Sequence, residues 1–430
     1  MERFSITRAY AAQLDKEDPL SEFRKDFLFP KQTPAVTYFC GHSLGLQPRL
    51  TKSYMLQELE DWEKLAVEGH WKAKNPWLNF HQAFSKPLSV ITGTYPDEVI
   101  AMNSLTANLH FMLASFYRPS GKKIKIITEA WNFPSDRFAL ESLVKLYGYD
   151  PKKAIIEIKP AKKKFHLTTE EICAVIEKNK ASVTLVLFNG VNYYTGQALD
   201  IQRITQAAHL AGAFAGFDLA HSIGNMQLQL HDWKVDFAVW CSYKYLNGGP
   251  GAVGGAFVHQ IHGHDKTTPR MAGWWGHEQN SRFSLDGSYK PLSGAAGFQV
   301  SNAPVMNMIG LKASLEIFMK AGMTAISRKK NTMFDYMVFL IKTLCTEDHS
   351  KRFRIHIITP LLQKQHGCML SVKVDGNKGK ELFDLLLTKG YWTDWREPDV
   401  IRMAPVPLYN SYQDIYNLVM EFSRHVVLVP

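Results

Sequence analysis

No stretch of eighteen apolar residues occurs anywhere in the chain, so a simple membrane-spanning helix is not expected. Cysteine is sparse as well. Cys40, Cys173, Cys241, Cys345 and Cys368 make an odd total of five, and no two stand at a metal-ligand spacing. Neither a disulfide framework nor a cysteine-held metal is therefore expected; reduced thiols of a cytoplasmic protein are the simpler reading. The first twenty residues lack the apolar core of a secretory signal, and Glu2, Asp15, Glu17 and Asp18 disfavour an organelle presequence. No internal repeat and no low-complexity tract breaks the chain, which removes solenoid and linker architectures.

What is present is ordinary globular material. Of 430 residues, 46% are hydrophobic and 21% charged, enough for a packed core and for two or three domains. The net charge of +10 raises nucleic acid as a partner. The basic residues are dispersed, however, and the runs Lys162-Lys163-Lys164 and Arg328-Lys329-Lys330 are short, which fits solvated surface better than a binding stripe. No nucleic acid or membrane partner is expected; small anionic ligands suit this balance.

The middle of the chain alternates between strand and helix patterns. Ile124–Thr128, Ala154–Ile158, Val183–Phe188, Ala213–Phe217 and Phe237–Trp240 are short runs of apolar, often β-branched or aromatic residues. Between them, Ser135–Leu146, Thr168–Lys178 and Asp200–Leu210 carry helical spacing; Thr168 with Glu171 forms a capping box and Asp200 is a cap. Apolar strands separated by helices predict an α/β fold with a mainly parallel sheet covered on both faces. The expected division is an N-terminal segment, 1–70, that joins the small domain or wraps the large one, then a large domain over 71–305. Connecting helices over 306–345, interrupted at Gly310 and Gly322, lead to a small α+β domain over 346–430.

Two apolar strands end in chemistry. Asp218 closes the run Ala215-Gly-Phe-Asp218, and Lys244 follows the next strand 26 residues later in Cys241-Ser-Tyr-Lys244. At the carboxyl edge of a parallel sheet both would face a ligand. A carboxylate there can keep a pyridine nitrogen protonated, and a lysine can condense with an aldehyde cofactor and later move protons. Taken singly, a strand-end aspartate is more often a helix cap and a lone lysine a rim charge; the pairing carries the argument. Asn103-Ser-Leu-Thr106 precedes a helical run, so its amides can face an anion. Gly248-Gly-Pro-Gly251 lets backbone approach a ligand, yet it matches neither a Walker loop nor a dinucleotide fingerprint. Phe133-Pro-Ser-Asp136 offers a ring for stacking beside polar groups.

These segments resemble kynureninase, a fold-type-I pyridoxal-phosphate hydrolase, from about Phe39 to Tyr412. The resemblance is carried by Gly41-His-Ser-Leu-Gly-Leu-Gln-Pro48, Phe133-Pro-Ser-Asp136, Tyr194-Thr-Gly-Gln197 and Gly216-Phe-Asp-Leu-Ala-His221. It continues through Trp240-Cys-Ser-Tyr-Lys-Tyr-Leu-Asn247, Gly273-Trp-Trp-Gly-His277, Ser301-Asn302 and Arg402-Met-Ala-Pro-Val-Pro-Leu-Tyr-Asn410. It implies a seven-stranded large-domain sheet of the fold-type-I kind, a homodimer, and pyridoxal 5'-phosphate held by Lys244. Asp218 would pair with the pyridine nitrogen, with His221 beside it. Leu105, Thr106 and Tyr243 would serve the phosphate site, Phe133 would stack on the ring with Asp136 as its support, and Pro134, Ser135 and Asn189 would also bind the cofactor. Trp274 and Asn302 would complete a cofactor site built at a dimer interface. Arg402 would grip the substrate carboxylate, while His70, Ser43 and Asn302 shape the substrate pocket. No metal is implied.

The reaction implied is hydrolytic Cβ–Cγ cleavage of L-kynurenine or 3-hydroxy-L-kynurenine, a step of tryptophan catabolism that feeds NAD biosynthesis. Lys244 would take the α-proton and Tyr243 donate a proton. His42 stands where the family commonly has asparagine, Asn189 where a serine is frequent, and Asn79-Phe80-His81 replaces a more polar loop; these departures bear on substrate preference more than on reaction class. Two other readings compete. A cysteine desulfurase needs a mobile catalytic cysteine, and no cysteine here has a loop motif around it. A silent scaffold would have no use for Lys244, Asp218 and Arg402 together.

Overall fold

The computed structural model describes residues 4–429 apart from 163, 285, 286, 347 and 349; Lys163, the middle of one basic run, thus lies outside the described residues. Its centre is a seven-stranded sheet. In chain order the strands are β1 (Val99–Ala101), β2 (Lys125–Glu129), β3 (Ile155–Ile158), β4 (Val183–Asn189), β5 (Phe214–Asp218), β6 (Phe237–Cys241) and β7 (Gly254–Val258), arranged β1-β7-β6-β5-β4-β2-β3. β7 runs antiparallel to both neighbours, and the pairs from β6 through β3 are parallel. The mainly parallel α/β expectation therefore holds.

Local chemistry explains the elements. All seven residues of β4 are buried, as a central strand covered on both faces requires. Thr168 accepts from the Glu171 amide at 3.1 Å while the Glu171 carboxylate accepts from the Thr168 amide at 2.7 Å, the reciprocal bonds that start the helix Thr169–Lys178. Asp200 caps Ile201–Leu210 by accepting from Arg203 N at 3.0 Å.

The connecting region is two helices, Val305–Ala321 and Met323–Leu344, broken at Gly322 with φ +74°. Gly310, expected as an interruption, sits inside the first helix. Its reason is contact: a Cβ there would lie 2.1 Å from the Gly248 carbonyl oxygen, so the helix presses directly on the turn after Lys244.

A second sheet of five strands follows in the order Asp394–Arg396, Val400–Met403, Leu370–Val374, Phe353–Ile357, Val426–Leu428. Its buried face packs with Met323–Leu344 and Tyr412–Ser423 around Ile355, Val372, Ile401 and Phe422. The N-terminal helix Arg8–Glu17 lies on Tyr412–Ser423, with Asp15 accepting from the Tyr412 amide at 2.6 Å. Among the described residues, no helix is long and apolar enough to cross a membrane.

Candidate active site

The carboxyl edge of the large sheet collects the reactive groups. β4 and β5 end in register at Asn189 and Asp218, β6 ends at Cys241 just before Lys244, and β1 leads into Asn103–Thr106. Between them lies a cavity lined by Leu105, Thr106, Phe133, Ser135, Asn189, Val191, Tyr193, Asp218, Ala220, His221, Tyr243 and Lys244.

Lys244 Nζ lies 3.0 Å from His221 Nε2 and 5.8 Å from the centre of the Phe133 ring. Asp218 is buried; one carboxylate oxygen accepts from the Ala220 amide at 2.7 Å. Burial raises its pKa and the nearby lysine opposes that rise. Asp136 is packed behind it. Burial first, then the Asp218 charge, holds Asp136 well above the usual carboxylate range, so the pair favours one shared proton. Asn189 donates to Asp136 at 3.2 Å, leaving its own Oδ1 without a protein partner. Burial likewise raises the Tyr243 hydroxyl pKa, with Cys241 and Asp218 adding to the effect.

Opposite Asp218, the helix Leu105–Phe116 begins with Ser104 at its cap, and Ser104 makes no side-chain capping bond. The first amides and the positive end of the helix dipole thus remain for an anion. Thr106 and Ser135 hydroxyls meet there at 2.9 Å. Strand β7 closes the floor: a Cβ on Gly254 would come within 3.0 Å of the Ser104 carbonyl carbon. An aromatic ring with an acidic partner at one end, a lysine at its side and an anion cradle at the other matches this outline.

Arg402 is 1% exposed and does not line the cavity. It donates to Asp394 through Nε at 3.0 Å and Nη2 at 2.6 Å, and to the Tyr193 carbonyl through Nη1 at 2.6 Å. It thereby stands behind the Tyr193 wall, with two of its five N–H donors unassigned. Pro134 starts the helix Pro134–Leu146 and so aims Ser135 and Asp136 inward. Ser43 is half-buried in the loop whose Gly45 amide donates to the Tyr243 carbonyl at 2.8 Å.

Three of the expected residues lie elsewhere within the single chain. His70 and Asn302 line a separate open groove with Trp62, Trp77 and Trp275. Trp274 is 46% exposed and packs edge-on against Trp275. Sequence reasoning passed over Val191, Tyr193, Ala220 and Asp394. Tyr193 adjoins the Tyr194-Thr-Gly-Gln197 motif, a signal that pointed to it; Asp394 has none, because its pairing with Arg402 arises only when two strands meet.

A different cluster, Glu98, His231 and His259, converges at the opposite, amino edge of the sheet. Glu98 already accepts from Gln260 N at 2.8 Å, His231 Nδ1 at 2.9 Å and Tyr95 N at 2.9 Å, an arrangement that satisfies the carboxylate without an ion.

Residues 326–422 match the family model described as the kynureninase C-terminal domain. A kynureninase of Flavobacterium johnsoniae is 48% identical over 415 residues, covering 96% of this chain and 97% of that protein. One from Xanthomonas campestris is 48% identical over 417 residues, covering 96% and 97%. This chain belongs to the kynureninase family. The cysteine desulfurase of Thermococcus onnurineus shares the fold, with a TM-score of 0.72 at 17% identity over 96% of this chain and 97% of that one. At that identity the likeness extends to architecture alone. The family assignment does not favour a desulfurase, nor does the cavity, whose lining includes no cysteine; Cys241, Cys345 and Cys368 are buried.

Proposed function

We propose that this chain hydrolyses the Cβ–Cγ bond of L-kynurenine, 3-hydroxy-L-kynurenine or both, yielding L-alanine and anthranilate or 3-hydroxyanthranilate, with pyridoxal 5'-phosphate as cofactor. The observation that carries the reading is kinship with kynureninases at 48% identity across 96% of the chain. The orphaned Oδ1 of Asn189, the uncapped helix start at Leu105 and the exposed face of Phe133 support the cofactor's fit. Bound there, the cofactor supplies an aldehyde for the lysine and a protonated ring that stores electrons released at the substrate carbons.

The chain's own residues would do the rest. Lys244 would hold the cofactor through Nζ and would serve as the base that takes the proton from the substrate Cα. Asp218 keeps the ring nitrogen protonated, and the neutral Asp136 behind it donates to the Asp218 carboxylate. Leu105 and Thr106 amides, with Thr106, Ser135 and Tyr243 hydroxyls, would hold the phosphate, and Phe133 would offer its face to the ring. Tyr243, kept protonated by burial, donates a proton as the β-carbon departs. Arg402, oriented by Asp394, grips the α-carboxylate with its two remaining donors.

A homodimer completes this proposal. Trp62, Trp71 and Phe283 are 59%, 59% and 75% exposed on the side that carries Trp274 and Asn302. Covering that aromatic surface with a second copy would bring His70, Trp274 and Asn302 toward a partner's cavity. We place the enzyme in the cytoplasm, which suits five unpaired cysteines. Incubation of the cofactor-loaded chain with each kynurenine, followed by product fluorescence, tests the reading. Absence of product from both substrates, with cofactor bound, refutes it.

A further inference from the structure

Lys244 has a neighbour whose own needs are unmet. A protonated lysine offers hydrogens and no lone pair, so Lys244 can bond to His221 Nε2, 3.0 Å away, only when that nitrogen is bare. That requires the ring proton of His221 to sit on Nδ1, which is buried and has no protein acceptor. Behind it stands His42, wholly buried, with neither ring nitrogen in an aligned hydrogen bond; the Phe39 carbonyl is the backbone acceptor nearby. The two ring centres are 6.4 Å apart and tilted by 40°. With nitrogens on the facing edges the gap is on the order of 4–5 Å, too long for one hydrogen bond and suited to two that meet at a water.

The surroundings keep both rings neutral. Burial acts first, and the cations Arg402, Lys244 and Arg396 add to it; Asp218 and Asp394 are the carboxylates of this neighbourhood. A neutral imidazole has one donor and one acceptor nitrogen, so His42 can accept a hydrogen bond on one side and donate one to the Phe39 carbonyl on the other. Its position is fixed independently. Gly45, three residues on, donates to the Tyr243 carbonyl at 2.8 Å, and a Cβ on Gly41 would strike the Tyr409 hydroxyl at 2.2 Å.

We propose that His42 is a positioning residue: through one water held between the rings it accepts the hydrogen bond offered by His221 Nδ1–H, leaving Nε2 bare toward Lys244. The lysine is thereby aimed whenever it carries a proton, including after it has taken one from substrate. This rests on the role given to Lys244 above. An asparagine side chain also presents an acceptor, so His42→Asn should preserve the arrangement and His42→Leu should not.

The test uses the full-length chain labelled with ¹⁵N-histidine, His221 being assigned by its loss in His221→Gln. Long-range ¹H–¹⁵N spectra read which nitrogen carries the proton in the cofactor-free chain, and kinetics are read in the loaded enzyme. The expected result is an Nδ1 proton on His221 in wild type and in His42→Asn, displaced to Nε2 in His42→Leu. The leucine variant should lose roughly three- to tenfold in kcat, the worth of one buried hydrogen bond, at unchanged KM, with most of it recovered in His42→Asn. An Nε2 proton in wild type, or an unchanged tautomer in a folded His42→Leu, overturns the proposal. The wild-type spectrum is decisive even if the leucine variant does not fold. Failure of the loaded chain to show cofactor absorbance would instead count against the cofactor reading, which the tautomer measurement does not require.

Discussion

Replacing Gly310 by alanine should damage catalysis from outside the cavity. The new methyl carbon would stand 2.1 Å from the Gly248 carbonyl oxygen and 2.8 Å from its carbon, where ordinary contact begins at 3.4 Å. Helix and turn must therefore separate by about 1 Å. The turn is tied to Lys244, the proposed cofactor lysine: Asn247 N donates to the Lys244 carbonyl at 2.9 Å, and Gly248 N to the Ser242 carbonyl at 2.8 Å. A shift of about 1 Å in a reacting group commonly costs on the order of 100-fold in rate. Stability should move less. Overpacking costs about 1–3 kcal/mol, while alanine is favoured over glycine in a helix interior by about 1 kcal/mol. Turnover of kynurenine, cofactor absorbance and thermal unfolding of Gly310→Ala measure all three. Activity within twofold of wild type, with cofactor bound, would show that the helix does not set the lysine turn.

Asp218→Asn should bind cofactor yet lose on the order of 100-fold in kcat, because a neutral amide cannot hold the ring proton; a loss under threefold contradicts the assignment. Arg402→Ala should raise KM for kynurenine and, by leaving the Asp394 carboxylate with Arg396 as its remaining cationic partner, lower stability by about 1.5–3 kcal/mol. Arg402→Lys should restore neither fully, since an ammonium lacks the planar fork, and an unchanged KM in either variant would remove Arg402 from the substrate site. His209, at the end of the helix Ile201–Leu210, is raised above its ordinary value of 6.5, chiefly by its hydrogen bond to Asp236. A raised histidine stabilises the fold fully below pH 6.5 and loses that contribution as pH rises through the folded value. The melting temperature of wild type should thus approach that of His209→Gln as pH rises, and parallel curves would disprove the linkage. If Asn302 serves the partner's site, mixing inactive Lys244→Ala with impaired Asn302→Ala chains should regenerate activity through hybrid dimers; no recovery after confirmed exchange would place Asn302 elsewhere.

The α/β reading was legible because β2 through β6 are continuous apolar runs punctuated by capped helices. The edge of the sheet was not. β1 is only three residues, Val99–Ala101, and β7 opens on Gly254-Gly255, which reads as a continuation of the preceding glycine turn. Only the face of Trp240, against which a Cβ on Gly255 would lie at 2.4 Å, explains glycine within that strand. Gly310 was misread for the same reason, since its constraint comes from a segment 62 residues away. Asp218 and Lys244 were recognisable as a pair because adjacent parallel strands deliver their ends to one edge. The cavity accordingly gathers Leu105, Thr106, Phe133, Ser135, Asn189, His221 and Tyr243 around them. Asp394 and the buried Asp136–Asp218 contact depend on tertiary approach, and no local pattern announces them.

The most direct test of the central claim is borohydride reduction of the cofactor-loaded chain, followed by mass mapping, alongside kynurenine turnover before reduction. The account predicts the reduced cofactor on Lys244, an alanine and an anthranilate-type product formed in equal amounts, and no turnover in Lys244→Ala. Label on a different lysine, or turnover that survives loss of Lys244, would contradict it.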